Sequence, residues 1–306
     1  MHQHSSHHKE RTQSKNLLIT FLLNLIISVA ELIGGLLSNS LSLISDAIHN
    51  FSDGLAVLIT WLSIRISKRP ANQQHTFGYK RVQILAALFN ALTLITICIF
   101  LLAEAYHRFM QPQAVEGFAM MWVAMIGLVA NLLGVVLLRK FSNDNLNIKA
   151  AYLHLIGDSL SSVAVIIGGV LIIFYEIYWI DPLITALISL YILKETWEVL
   201  AETYRILMQA GPSTMQLQPI ADRVVAIEGI KSIHHIHIWQ LTDQELHFEA
   251  HIEMENDLLL TEAQKKSDVI RALLVQEFGF AHVTLQTEIN RCSEPDLVAG
   301  GDHCHC

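Results

Sequence analysis

Six apolar runs, at 17–37, 41–66, 82–106, 117–138, 150–176 and 180–200, are each long enough to cross a hydrocarbon core of about 30 Å as a helix. Turn chemistry separates them: Ser38-Asn39-Ser40, the 70–78 loop, Gln111-Pro112 and Asp181-Pro182. Beyond Gly211-Pro212 the period changes and charged residues recur every few positions. In 247–254 the odd positions are polar and the even ones apolar, which predicts a half-buried strand. Residues 282–289 repeat that pattern, and a further strand is predicted at 233–241. Helices fit 216–227 and 261–278, giving the order α-β-β-α-β, whose simplest packing is one three-stranded sheet with helices on one face. The fold class is thus a multispanning α-helical membrane protein, with six transmembrane helices and a C-terminal α+β domain.

Composition agrees: 52% of the 306 residues are hydrophobic and 16% charged, with a mean hydropathy of +0.42, too apolar for an ordinary soluble chain. The net charge of -8 leaves no basic surface for nucleic acid, which is excluded as a partner. Four scattered cysteines make no disulfide framework. The first apolar run lacks a small-residue cleavage site after it and reads as a retained span. Lys9, Arg11, Lys15, Arg65, Lys68, Arg69, Lys80, Arg81, Arg139, Lys140 and Lys149 all fall on one side of the six spans, while the opposite loops offer little beyond Arg108. The expected location is the cell inner (plasma) membrane among lipid, with both termini and the domain after Gly211 in the cytoplasm.

The second span contains "SDAIHNFSD", with Asp46, His49 and Asp53; the fifth contains "HLIGD", with His154 and Asp158. Each His precedes an Asp by four, so the pair shares one helix face, about 6 Å apart. A single H-x-x-x-D is commonly a His donating to an Asp within its helix. Two copies in separate apolar spans ask for more, because an aspartate near a bilayer centre costs on the order of 2.5 to 3.5 kcal/mol. Together the pairs offer two imidazole nitrogens and two carboxylates, enough for a closed tetrahedral site. The carboxylates cancel a divalent cation, and this donor set suits Zn²⁺, with Cd²⁺ and Co²⁺ as further candidates. When the ion leaves, protons take its place, which gives metal/proton exchange if the site opens alternately to either side. No G-x-x-x-x-G-K-[ST] phosphate loop is present, which agrees with exchange that does not use ATP.

"NSLSLISDAIHNFSDGLAV", "HTFGYKRVQILAAL", "AAYLHLIGDSLSSVAVIIGG", "DPLITALIS" and "HHIHIWQL" together make the chain resemble the cation diffusion facilitator family, in its zinc-exporting branch, over nearly its whole length. The resemblance implies a homodimer with a metallochaperone-like cytosolic domain, exporting Zn²⁺ against entering protons. It places the transport site on His49, Asp53, His154 and Asp158, and a histidine at 49 is associated with zinc preference. Of a second-to-third-span loop site only His75 has a counterpart, Asn72 and Tyr79 standing at the other positions. A charge interlock of some relatives falls on Arg81 and the uncharged Gln209, so any interlock must use different chemistry. The cytosolic ligands fall on His234, His251 and Glu288, with His282 nearby. Strand alternation supports His251 and Glu288 on a polar face but sets His234 with Ile236 and Ile238, unless the strand is irregular there.

The expected organisation is a His-containing tail at 1–15, the six-helix transport domain at 16–210, the α-β-β-α-β domain at 211–291 and a Cys/His-rich tail at 292–306. In the last, His303, Cys304, His305 and Cys306 combine two thiols with two imidazoles and are candidate metal ligands. Asn24, Glu31, Glu104 and Asn131 read as interhelical hydrogen-bonding groups, whereas Asp46, three residues before His49, is a candidate proton relay. Zn²⁺ is expected as substrate and as a regulatory or structural ion in the cytosolic domain, with no organic cofactor. Two other classes compete: a membrane-bound metal sensor and an intramembrane metalloenzyme. The enzyme lacks H-E-x-x-H, and two His plus two Asp close the position a catalytic water needs. The expectation is a transporter and not an enzyme.

Overall fold

The computed structural model of the chain describes residues 22–139, 146–290 and 296–298, with 146–151 as backbone. The N-terminal tail and His303, Cys304, His305 and Cys306 lie outside these described residues. Two compact units are present: one joins the residues up to Leu62 with Phe89–Leu200, the other joins Ser63–Leu88 with the residues from Ala201 onward.

The first unit contains α1 (Leu22–Ser38 among the described residues), α4 (Gly117–Arg139), α5 (Leu146–Tyr175) and most of α2 (Leu41–Ser67), α3 (Val82–Met110) and α6 (Ile180–Leu207), the last three each having one end in the second unit. Helix is the answer these runs require, because lipid offers no partner to a free backbone N–H or C=O. α2, α3, α4 and the 152–175 part of α5 are long and apolar enough by themselves to cross a membrane. α1 is apolar over its shorter described length, and α6 carries Lys194, Glu195 and Glu198 in its second half. Asn39 after α1 and Glu176 after α5 take the left-handed backbone conformation that ends a helix, with φ of 56° and 55°.

Packing in this unit is inverted relative to a soluble core. Leu37, Phe100, Val136 and Phe174 are exposed, as lipid-facing residues should be, while Ser40, Ser42, Ser162, Thr185 and Ser189 are buried with Leu43, Met120 and Val165. α4 and α5 approach backbone to backbone. A Cβ on Gly117 would lie 2.8 Å from the Gly169 carbonyl oxygen, and one on Gly169 would lie 3.0 Å from that of Gly117. Gly169→Ala is therefore expected to force the helices apart and cost about 1–3 kcal/mol, seen as a lower unfolding midpoint in detergent. Gly157→Ala, where only the Tyr191 hydroxyl lies within 4 Å, at 3.8 Å, should leave the midpoint unchanged or raised.

In the second unit the sheet order is β1-β2-β3. β1 (Ile230–Gln240) runs antiparallel to β2 (Leu246–Met254), and β3 (His282–Glu288) runs parallel to β2 through the crossover helix α8 (Leu260–Phe278). With α7 (Leu217–Val225) this is the α-β-β-α-β order read from periodicity. Ile220 and Val224 of α7 and Ile270 and Leu274 of α8 meet Ile233, Phe248, Ala250 and Ile252 in one core. The polar face of β2 departs from the simple amphipathic expectation: His247, His251 and Glu253 are buried too. The 63–88 stretch belongs with this unit through side chains far apart in sequence. Lys80 Nζ donates to both Glu245 carboxylate oxygens, at 2.7 and 2.5 Å, and the Phe77 ring meets His247 edge-on at 5.7 Å.

Candidate metal centres

α2 carries His49 and Asp53 one helical turn apart, and α5 carries His154 and Asp158 likewise; the structure brings all four side chains together. His154 Nε2 lies 3.0 Å from Asp53 Oδ2 and 3.4 Å from Asp158 Oδ2, while His49 Nε2 lies 3.7 Å from Asp53 Oδ2 and 3.9 Å from Asp158 Oδ1. A tetrahedron with metal–ligand bonds of about 2.0–2.1 Å has edges of about 3.3 Å, so these separations suit one shared ion. The rings of His49 and His154 stand edge to face, 5.7 Å between centroids. Asp158 is nearly sealed, its side chain 4% exposed, whereas that of His154 is 40% exposed, which gives the cluster one open side.

Buried polar contacts surround this cluster. Asp46 accepts a hydrogen bond from Ser161 Oγ, tying α2 to α5. Asn50 Nδ2 donates to Glu31 Oε2 at 3.2 Å, tying α2 to α1, and Gly127 of α4 leaves the space the Glu31 carboxylate fills. The start of α2 is fixed by Asp181 of α6, whose carboxylate accepts from Ser40 Oγ at 2.7 Å, Leu41 N at 2.7 Å, Ser42 N at 3.2 Å and Ser42 Oγ at 2.6 Å. Read along the chain, Asp181-Pro182 is only a turn; its partners lie about 140 residues earlier.

A second cluster sits in the C-terminal domain. His251 Nδ1 is 2.8 Å from Glu288 Oε1, His234 Nε2 is 3.5 Å from Glu288 Oε2, and the two rings are 5.6 Å apart. All three residues are buried, and neither ring nitrogen of His234 has a hydrogen-bond partner among the described residues. That is costly for an imidazole with nothing to bind, and it fits a metal ligand. Burial pushes His251 below its ordinary value of 6.5, with His235 and His234 adding to the effect and Glu288 opposing it, so the ring keeps a free lone pair at neutral pH.

His234 does not share the core side with Ile236, contrary to simple alternation. The β1–β2 register shifts between His234 and His237, and His235 has φ of 54°. This bulge inserts one residue, so Ile233 and Ile236 both face the core while His234 lies opposite His251. His282 does not join the cluster. It begins β3 opposite His247, their rings 5.3 Å apart, six residues and about 20 Å of strand from Glu288. His75 is exposed and stacked on Tyr79 at 4.6 Å, and it belongs to neither of the metal-ligand groups among the described residues. Gln209 takes a left-handed conformation just past α6, and Lys80–Glu245 is a charge contact of the 63–88 stretch.

Burial pushes His247 below 6.5 as well, with His282 and Lys80 adding to the effect and Glu245 opposing it. The native sheet then refuses a proton that the unfolded chain accepts, so its stability is full above about pH 6.5 and falls as pH drops through that value. Hydrogen exchange over 246–254 in the metal-free full chain, corrected for intrinsic rates, should show less protection at pH 5.5 than at 7.5. His247→Asn should flatten that difference.

Apolar helices enclosing a nitrogen–oxygen cluster, joined to an α+β domain holding another, define a multi-pass membrane protein with two candidate ion sites. Residues 17–208 match the cation efflux transmembrane domain and 212–290 match the cytoplasmic domain of cation efflux proteins. The chain belongs to the cation efflux, or cation diffusion facilitator, family of transporters. It is 36% identical over 293 residues to the metal cation efflux system protein CzcD of Cupriavidus metallidurans, covering 96% of this chain and 92% of the relative. It is 37% identical over 308 residues to the zinc transporter ZitB of Pectobacterium atrosepticum, covering 99% and 91%. It is 35% identical over 309 residues to the cadmium, cobalt and zinc/H(+)-K(+) antiporter of Bacillus subtilis, covering 97% and 98%.

Proposed function

We propose that the chain exports Zn²⁺ from the cytoplasm, with Cd²⁺ and Co²⁺ as further cargo, in exchange for protons by alternating access around His49, Asp53, His154 and Asp158. The observation that carries this reading is the convergence of the four side chains, with N···O separations of 3.0 to 3.9 Å. Two carboxylates against one divalent ion leave a neutral complex, which a low-dielectric site tolerates; with the ion gone, protons on the same groups restore that balance. The relatives named as zinc transporters and as a proton-coupled antiporter support the cargo and the counter-ion.

The protein works as a homodimer in the inner membrane, with both termini and the C-terminal domain in the cytoplasm. The six spans occupy 16–210 and the α+β domain 211–291. His234, His251 and Glu288 hold a resident zinc, their donor set and the unpartnered His234 nitrogens fitting that ion. The tail ligands His303, Cys304, His305 and Cys306 gather metal, and Asp46 passes protons. Purified chain in vesicles with an acidic lumen is expected to take up zinc in proportion to the imposed pH gradient, with Cd²⁺ and Co²⁺ competing. Zinc bound with no flux under any gradient would favour a membrane sensor instead.

A further inference from the structure

Both metal-ligand clusters pair two imidazoles from different elements with a carboxylate, the ring centroids 5.7 Å apart for His49 and His154 and 5.6 Å for His234 and His251. A further pair, outside both clusters, has nearly that spacing. His247 of β2 and His282 of β3 stand opposite each other in the sheet register, their centroids 5.3 Å apart. His247 is 5% exposed, and its Nδ1 has no hydrogen-bond partner among the described residues. Burial also keeps this ring neutral at pH 7, with a lone pair to give. His282 is exposed, its Nε2 3.4 Å from Thr284 Oγ1.

The carboxylate to complete such a pair stands two residues before His247. Glu245 leads into β2, where residues i and i+2 share a face, and its negative charge already bears on the His247 ring. Thr242 Oγ1 accepts from Gln244 N at 3.2 Å and from Glu245 N at 3.1 Å, which fixes this turn. Lys80 holds the carboxylate through both oxygens. With Lys80 42% and Glu245 31% exposed, that pair is solvated and weak enough to be exchanged. His247, His282, Glu245 and Lys80 all line one cleft of about 1000 Å³, between the 63–88 stretch and the β1–β2 turn.

We propose that His247, His282 and Glu245 form a further metal site, for a divalent ion that favours imidazole such as Zn²⁺, and that the ion takes Glu245 away from Lys80. Two imidazoles and one carboxylate suit that ion, with water in the fourth place. Binding therefore exchanges partners: the charge pair that ties the α2–α3 connection to the sheet opens as the ion is held. His247 lies four residues along β2 from His251, about 13 Å of strand, so the site is separate from the His234/His251/Glu288 cluster. It is independent of the transport reading and is read by binding alone.

Ni²⁺, used as a probe ion, quenches tryptophan fluorescence at short range, and the Trp239 ring lies 5.2 Å from that of His247. The Trp239 signal is the difference between the full chain in detergent and its Trp239→Phe variant, both carrying Glu288→Gln to disable the other cluster of the sheet. Titration with Ni²⁺ should quench that signal. His282→Ala, at an exposed position, should weaken the apparent affinity by at least about tenfold, since even outer-shell losses cost that much. Glu245→Gln and Lys80→Gln both break the charge pair, yet they should act in opposite directions. The first should weaken Ni²⁺ binding about tenfold, and the second should tighten it at least about twofold, because the ion no longer competes with the ammonium group. A merely structural charge pair would move both the same way. An unquenched Trp239, or an unchanged affinity in His282→Ala, would overturn the site; a Lys80→Gln chain that binds Ni²⁺ no more tightly would overturn the exchange of partners.

Discussion

Asp158→Asn is expected to abolish zinc transport, with zinc affinity at the membrane site down by more than about 100-fold. The substitution keeps size and shape but removes one of the two negative charges, so a bound Zn²⁺ would carry an uncancelled positive charge into a nearly sealed place. Removing one partner of a buried ion pair costs about 3–5 kcal/mol, and a loss of that size corresponds to more than about 100-fold in affinity. Asp158 reaches both imidazoles, 3.9 Å from His49 and 3.4 Å from His154, and Asp53, which reaches both as well, supplies only one of the two charges the ion needs. Zinc flux in vesicles and equilibrium zinc binding both read the loss. Retained flux would remove Asp158 from the site.

Asp181→Asn should be nearly as damaging, through folding. Every contact to that carboxylate is a donor: two hydroxyls and two backbone N–H groups at the start of α2. An asparagine turns one oxygen into an NH₂ that faces those donors, inside a pocket where Asp181 is 0% exposed. Loss of charge-assisted hydrogen bonds and of an anion at a helix N-terminus should cost about 2–4 kcal/mol. The unfolding midpoint should fall and transport with it, because α2 carries His49 and Asp53 two to three turns further on. Ser42→Ala, which removes one of the donors, should cost only about 1 kcal/mol. An unchanged midpoint in Asp181→Asn would show that this cap does not hold α2.

Periodicity made the architecture legible because the membrane and the half-buried sheet each impose one on the sequence. The apolar runs became helices, and alternation in 247–254 put Phe248, Ala250 and Ile252 in the core. The convergence of His49, Asp53, His154 and Asp158 was legible for a different reason: ionisable groups in apolar spans are conspicuous, and the i, i+4 spacing fixes their face. Local pattern failed where one backbone residue changed the count. His234 looked apolar-facing until the bulge at His235 reset the phase of β1. It failed again where partners are distant in sequence, as with Asp181 and the α2 start or Lys80 and Glu245. His282 stands at the far end of β3 from Glu288, a separation that alternation, which fixes a residue's face and not its place along the strand, does not convey.

The central claim is that one divalent ion and its replacing protons take turns in cancelling the charge of two buried aspartates. Recording luminal zinc and luminal pH together in the same ATP-free proteoliposomes tests it most directly. Zinc uptake is expected to be matched by proton exit, driven by the pH gradient alone, with both movements gone in Asp158→Asn. Zinc moving without protons, or moving unchanged in that variant, would contradict it.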